Sequence, residues 1–206
     1  YTFFYTYDGN GNVGSETDGN GNTTRYVYDG LNRVGEQINA EGNPSTNEYD
    51  ADGRMIKAID EEGAVTAYTY DENGRLTQMT NALGFSTSFE YDAMDRVVKV
   101  TDAQGKATTY TYDAVGYVST ETNAKGVTTS YVYDANYNLT SLTDAAGTST
   151  YLYDAMDRVV GQTDRRGNTQ WFRYDAIGRI TAVRDKNGNL TEYIYDGNGN
   201  IVKTID

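Results

Sequence analysis

Aromatic side chains recur two residues apart along this chain, at Tyr26/Tyr28, Tyr68/Tyr70, Tyr110/Tyr112, Tyr131/Tyr133, Tyr151/Tyr153 and Tyr193/Tyr195. Phe89/Tyr91 and Phe172/Tyr174 keep the rule, whereas Asn47/Tyr49 breaks it in the copy that holds Pro44. That copy is expected to be the weakest hairpin. A period of two places both rings on one face of a β-strand. A second kind of stretch, such as Arg96-Val97-Val98-Lys99-Val100-Thr101, opens on an aliphatic residue in every copy, from Val13, Val34 and Met55 to Val159, Ile180 and Ile201. Both kinds read as short strands, and the short connections between them predict antiparallel neighbours in a meander.

The punctuation between these stretches is regular. Tyr-Asp dipeptides stand at Tyr7-Asp8, Tyr28-Asp29, Tyr49-Asp50, Tyr70-Asp71, Tyr91-Asp92, Tyr112-Asp113, Tyr133-Asp134, Tyr153-Asp154, Tyr174-Asp175 and Tyr195-Asp196, at steps of 21 residues with one step of 20. Midway between them an Asp or Asn is followed three residues later by Gly, as in Asp18/Gly21, Asn39/Gly42, Asp60/Gly63, Asn81/Gly84, Asp102/Gly105, Asn123/Gly126, Asp144/Gly147, Asp164/Gly167 and Asp185/Gly188. An Asp or Asn carboxyl or amide oxygen accepts a backbone N–H two residues on, and Gly takes positive φ without a Cβ clash. Each repeat therefore carries two turns and two strands, twenty strands in all, in a single array over residues 1–206 whose ends read as cut from a longer one. At about 4.8 Å per strand such a ribbon would be roughly 95 Å wide, so the all-β meander is expected to curl into a β-barrel or a spiral shell. The 20-residue step near Gly147 is expected to be absorbed beside the turn, with Tyr151 and Tyr153 kept in register.

Composition narrows the function. The chain has 20 tyrosines, 22 glycines, one proline and 37% apolar residues. This is too aromatic for a disordered polar chain and too poor in aliphatics for a deep core. A formal net charge of -13 with no basic run argues against a nucleic-acid partner, and no apolar stretch is long enough to span a membrane. Tyr1-Thr2-Phe3-Phe4 lacks the layout of a signal peptide. With neither histidine nor cysteine, catalytic triads, thiol nucleophiles and the usual zinc ligands are excluded, and no cofactor or metal is expected. Carboxylate pairs remain as a catalytic option, but the acidic residues repeat in every copy, which argues against one active site.

The run Tyr91-Asp92-Ala93-Met94-Asp95-Arg96-Val97, continuing to Thr101-Asp102-Ala103-Gln104-Gly105 and Tyr110-Thr111-Tyr112-Asp113, resembles the tyrosine-aspartate (YD or Rhs) repeat, and the resemblance extends over essentially the whole chain. It implies a long β-ribbon spiralling into a hollow shell, as in Rhs and wall-associated polymorphic toxins, the cocoon-forming components of insecticidal toxin complexes, and teneurins. In the toxins such a shell encloses a variable toxic domain, and it often ends in a self-cleaving segment with an Asp-Pro-x-Gly-Leu type motif that is not found here. The resemblance implies a secreted or cell-surface location and partners that are further repeats, copies of the chain itself, or an enclosed toxin domain.

Several features carry an alternative. The tyrosine rows beside Asn, Asp and Thr could stack on sugar rings, making the chain a carbohydrate-binding or adhesion module for surface glycans. Trp171, the only tryptophan, falls one residue before Phe172 and so on the opposite face, as a local plug or a ligand contact. Asp8-Gly9-Asn10-Gly11-Asn12 and its counterparts at Asp18 and Asp196 resemble the start of a calcium loop, but Val13, Thr23 and Ile201 replace the sixth-position glycine. Arg33, Arg54, Arg75, Arg96, Arg158 and Arg179 recur just after a turn and are expected to pair with turn carboxylates of adjacent copies.

Overall fold

The computed structural model describes residues 2–206, in two compact units, Tyr1–Ala107 and Thr108–Asp206. Only Tyr1 lies outside the described residues. The first unit carries β1 (Phe4–Tyr7), β2 (Val13–Thr17), β3 (Thr23–Tyr28), β4 (Val34–Ile38), β5 (Pro44–Tyr49), β6 (Met55–Ile59), β7 (Val65–Tyr70), β8 (Leu76–Thr80), β9 (Ser86–Tyr91) and β10 (Val97–Thr101). The second carries β11 (Ala107–Tyr112) from its second residue on, then β12 (Val118–Thr122), β13 (Thr128–Tyr133), β14 (Leu139–Asp144), β15 (Gly147–Tyr153), β16 (Val159–Thr163), β17 (Thr169–Tyr174), β18 (Ile180–Arg184), β19 (Leu190–Tyr195) and β20 (Ile201–Ile205). Within each unit every strand pairs antiparallel with the next in sequence, and none of the described residues is helical. The expected meander of twenty short strands is the observed fold.

Both turns of the repeat share one construction. At Asp29, for example, the backbone N–H donates to the Arg33 carbonyl (2.9 Å) and the Asn32 N–H returns to the Asp29 carbonyl (3.0 Å). This is a three-residue loop built on a type I turn and closed by a residue in the left-handed region. In the three-residue form of the second turn that residue is always glycine: Gly63, Gly84, Gly105, Gly126 and Gly167 have φ between 76° and 81°; in the shortened turn Gly147, at φ 126°, opens β15 instead. In the Tyr-Asp turn Asn32, Asp95, Tyr137 and Asp157 take it at φ 58–66°. Asn and Asp tolerate that region through local hydrogen bonds, but a tyrosine there is strained.

The two hairpins differ in one respect that the sequence does not reveal. Every Tyr-Asp hairpin carries a β-bulge: Tyr28 faces Val34 while Val27 faces Glu36, leaving Gly35 unopposed. The hairpins around the second turn have continuous register, as in Glu36↔Thr46, Gln37↔Ser45 and Ile38↔Pro44. A bulge bends its strand and increases the local right-handed twist, so twist is added on the same strand in each repeat. Pro44 sits at the first position of β5, where a missing N–H is tolerated, and the strand keeps the common register.

The 20-residue step is absorbed in the turn itself. Asp144 pairs directly with Gly147 around Ala145-Ala146, whereas the other copies have three loop residues. Register downstream is preserved, with Tyr151 facing Gln162 as Tyr26 faces Gln37.

Almost nothing is fully buried. Ala182, at 3% exposure, is the only buried hydrophobic side chain among the described residues. Sheet stability must therefore come from ladders of half-buried cross-strand contacts rather than from a core.

Candidate functional site

The repeated element that carries chemistry is the Tyr-Asp turn. The aspartate works first inside its own turn: Asp29 Oδ1 accepts the N–H groups of Leu31 (2.8 Å) and Arg33 (3.0 Å), and Asp92, Asp154 and Asp175 do the same. The other oxygen, Oδ2, accepts from the Nε of the arginine four residues on, at 2.7 Å in Asp29–Arg33, 2.7 Å in Asp71–Arg75 and 2.6 Å in Asp175–Arg179. The arginines thus pair with the aspartate of their own copy, not with that of a neighbour as expected. The local reason is reach: the type I turn brings residues four apart to the two sides of one carboxylate. Arg75 adds a neighbour's carboxylate, Asp95 at 2.8 Å.

Held by its own turn, the guanidinium projects onto the next repeat. Arg33 Cζ lies 4.5 Å from the centroid of the Tyr49 ring and its Nη1 donates to the Asp50 carbonyl (3.3 Å). Arg54 over Tyr70, Arg75 over Tyr91, Arg158 over Tyr174 and Arg179 over Tyr195 repeat the cation–π contact at 4.5–5.3 Å.

The tyrosine answers in the opposite direction. Its hydroxyl donates to the carbonyl of the aliphatic residue that opens the strand before it: Tyr28 to Val13 (3.0 Å), Tyr70 to Met55 (2.7 Å), Tyr91 to Leu76 (2.8 Å), Tyr133 to Val118 (3.2 Å) and Tyr174 to Val159 (2.8 Å). Backbone pairing between β2 and β3 covers Ser15↔Arg25 to Thr17↔Thr23 and stops short of Val13. The phenol supplies the partner that this carbonyl would otherwise take from the ladder. Arginine forward and tyrosine backward make a clamp between successive copies.

Three copies vary the clamp. Asn12 and Asn138 take the arginine position and bond both the turn carboxylate and a residue of the next copy, Asn32 or Asp157. Tyr117 takes it in another: its ring meets Tyr133 at 5.2 Å and stacks on Tyr137 at 4.9 Å, 12° from parallel. In that turn Asp113 Oδ1 accepts the N–H groups of Val115, Gly116 and Tyr117, and Tyr112 ends β11 opposite Val118.

These contacts fix the ionisation of the turn. The Asp29, Asp92 and Asp154 carboxyls are held below the ordinary 3.8 by their arginine side chains, and Asp8, Asp18 and Asp196 by Asn12, Asn22 and Asn200. In the loops that resemble calcium sites, Asp8 Oδ1 accepts from Asn10 N and Asn12 N and Oδ2 from Asn12 Nδ2, so the carboxylate serves the turn. Among the described residues no group of three or more His, Cys, Asp or Glu is placed to hold a metal. Burial pushes the Tyr70, Tyr133 and Tyr153 phenols above 10.0.

Trp171 lies on the face opposite the tyrosines. It is cross-strand from Gly161, where a Cβ would come within 2.9 Å of its ring, and it remains 45% exposed. The indole thus fills the space left by the glycine and still presents surface.

A teneurin YD-shell family model matches residues 27–206, and an RHS repeat model matches residues 7–44. No curated protein matches the chain. Among solved structures the chain is similar over 100% of its length to one in the Photorhabdus luminescens Tc holotoxin pore, at 20% identity and TM-score 0.66. It is similar over 98% to the TcdB2-TccC3-Cdc42 crystal structure (19% identity, TM-score 0.67) and over 95% to that of TcdB2-TccC3 (16%, 0.63). It spans 13%, 13% and 15% of those chains, and at these identities the likeness is one of fold.

Proposed function

The chain belongs to the teneurin YD-shell family, and we propose from that premise that it is a structural wall segment of a YD-repeat shell that encloses or displays a toxin or effector domain. The observation that carries this reading is the clamp. Within each unit successive copies are held by a recurring Tyr–carbonyl bond and by an Arg–Tyr contact, or by an asparagine or tyrosine in the arginine's place, so the array can be extended by repetition and no copy is singled out for chemistry. A bulge in every repeat adds twist in one sense, which favours a ribbon that curls.

The role is non-enzymatic, and the location secreted or cell-surface. Partners are further repeats, copies of the chain, or the enclosed domain. The reading of the tyrosine rows as a sugar-binding face is less well supported, because the second tyrosine of a pair commits its hydroxyl to a backbone carbonyl.

Edge pairing offers the test. Among the described residues of its unit β1 pairs with β2 alone and β20 with β19 alone, and both strands are exposed along their length. Such edges invite a further strand. Light scattering with small-angle X-ray scattering on the purified chain should show either growth of the particle with concentration or closure into a compact monomer. A particle that stays monomeric and open at every concentration would contradict a wall-forming role.

A further inference from the structure

Charge is unevenly spread. Residues 158–186 hold seven cations (Arg158, Arg165, Arg166, Arg173, Arg179, Arg184 and Lys186) against three carboxylates (Asp164, Asp175 and Asp185), in a chain of formal net charge -13. Three of these arginines are paired through their side chains: Arg158 and Arg179 serve clamps, and Arg165 pairs with Asp144. Arg173 and Arg184 form no ion pair among the described residues, although both are on strands and exposed.

They flank Trp171. Arg184 is its cross-strand neighbour, and Arg173 is two residues along β17 on the same face. Ala182, opposite Arg173 and 3% exposed, forms a floor between them, and Leu190 closes the far side. Together these five residues line a groove of about 270 Å³. Glu192 lies across Ala182 on β19 and pairs with neither arginine. The ring lies over Gly161 and fills the space that a side chain there would take, with Leu152 beside the same space.

A held indole with exposed surface offers a stacking platform, and two unpaired guanidinium forks match a carboxylate. The volume falls just below the range of about 300–1,000 Å³ usual for small-molecule pockets, which suits a single ring rather than an extended polymer. We infer that this groove binds a carboxylate-bearing sugar ring, with Trp171 as the platform and Arg173 and Arg184 as the carboxylate ligands. This inference does not depend on the wall role.

Trp171 is the only tryptophan, so its emission reports the groove without a label. The full chain should be titrated with sialyllactose, with a galacturonic acid dimer, with neutral lactose and with polyglutamate. The carboxylated sugars are expected to change the emission saturably, more weakly at high salt, while lactose and polyglutamate do not. R173Q/R184Q, with an unchanged circular dichroism spectrum, should weaken that response by about tenfold or more. A182L, which fills the groove floor, should abolish it. No saturable change with either acidic sugar, an equal response to lactose, or a response that survives R173Q/R184Q would overturn the assignment. A response to polyglutamate alone would place an acidic peptide in the groove and overturn the sugar class.

Discussion

Tyr117 stacks on Tyr137 with ring centroids 4.9 Å apart, at the place where Arg75 meets Asp95 in an earlier copy. Tyr137 holds φ 66° to do so, in a region where its Cβ is crowded. Two effects of similar size therefore oppose each other, about 1–2 kcal/mol of backbone strain and roughly 0.5–1.5 kcal/mol of ring contact. Y137A keeps the strain and loses the contact, and should lower stability by about 1 kcal/mol. Y137G loses both and should be close to neutral. Urea denaturation of the two variants checks the balance, and equal losses would remove the strain from the account.

Tyr70 and Tyr68 share a face and a strand, yet only the Tyr70 hydroxyl reaches a carbonyl, that of Met55 at 2.7 Å. Y70F should cost about 0.5–1.5 kcal/mol, a fall in Tm of a few degrees, because it leaves that carbonyl without its partner. Y68F should change Tm by less than the error of a thermal melt.

Glycine-to-alanine substitutions should separate by backbone conformation and by space. At Gly63 (φ 80°) a Cβ meets nothing within 4 Å, so G63A should cost about 1 kcal/mol through φ alone. Gly30 is open and does not require positive φ, so G30A should be neutral or stabilise by about 0.4–1 kcal/mol. Gly161 is a third case, because its added Cβ would press on the Trp171 ring. G161A should shift the tryptophan emission as well as lower Tm.

Acid and alkali should unfold the array for opposite reasons. The turn carboxyls of Asp29, Asp92 and Asp154 titrate below their ordinary 3.8 because of their arginines, so their contribution is complete above about pH 4 and is lost as pH falls through the lowered values. Tyr70, Tyr133 and Tyr153 titrate above 10.0 because of burial, so theirs is complete below pH 10 and declines as pH rises beyond it. Tm measured against pH should be flat between these limits and fall outside them.

Much of this was legible in the sequence because each turn rests on one residue with one role. Asp18 and Gly21 announce a loop, and Tyr26/Tyr28 announce a strand face, without reference to anything distant. The bulge is different, since Gly35, Ile56 and Val98 occupy the same unopposed position and share no chemical property. The clamp is intermediate: Arg33 and Tyr49 recur at constant spacing, but only the register shows that sixteen residues bring the guanidinium over the ring. Tyr117 cannot be read from the repeat pattern as a clamp residue, because an aromatic replaces a cation there and keeps the contact.

A deletion of residues 71–91, one repeat of 21 residues, tests the central claim most directly. It joins Tyr70 to Asp92 and keeps the order of turns, strands and clamps. Circular dichroism should show the parent's β-sheet spectrum with a cooperative melt at a lower Tm. Deleting only residues 71–80 would place β9 where β8 belongs, and that chain should lose the cooperative melt. A folded product from the shorter deletion, or an unfolded one from the full repeat, would contradict an array built from equivalent copies that each clamp the next.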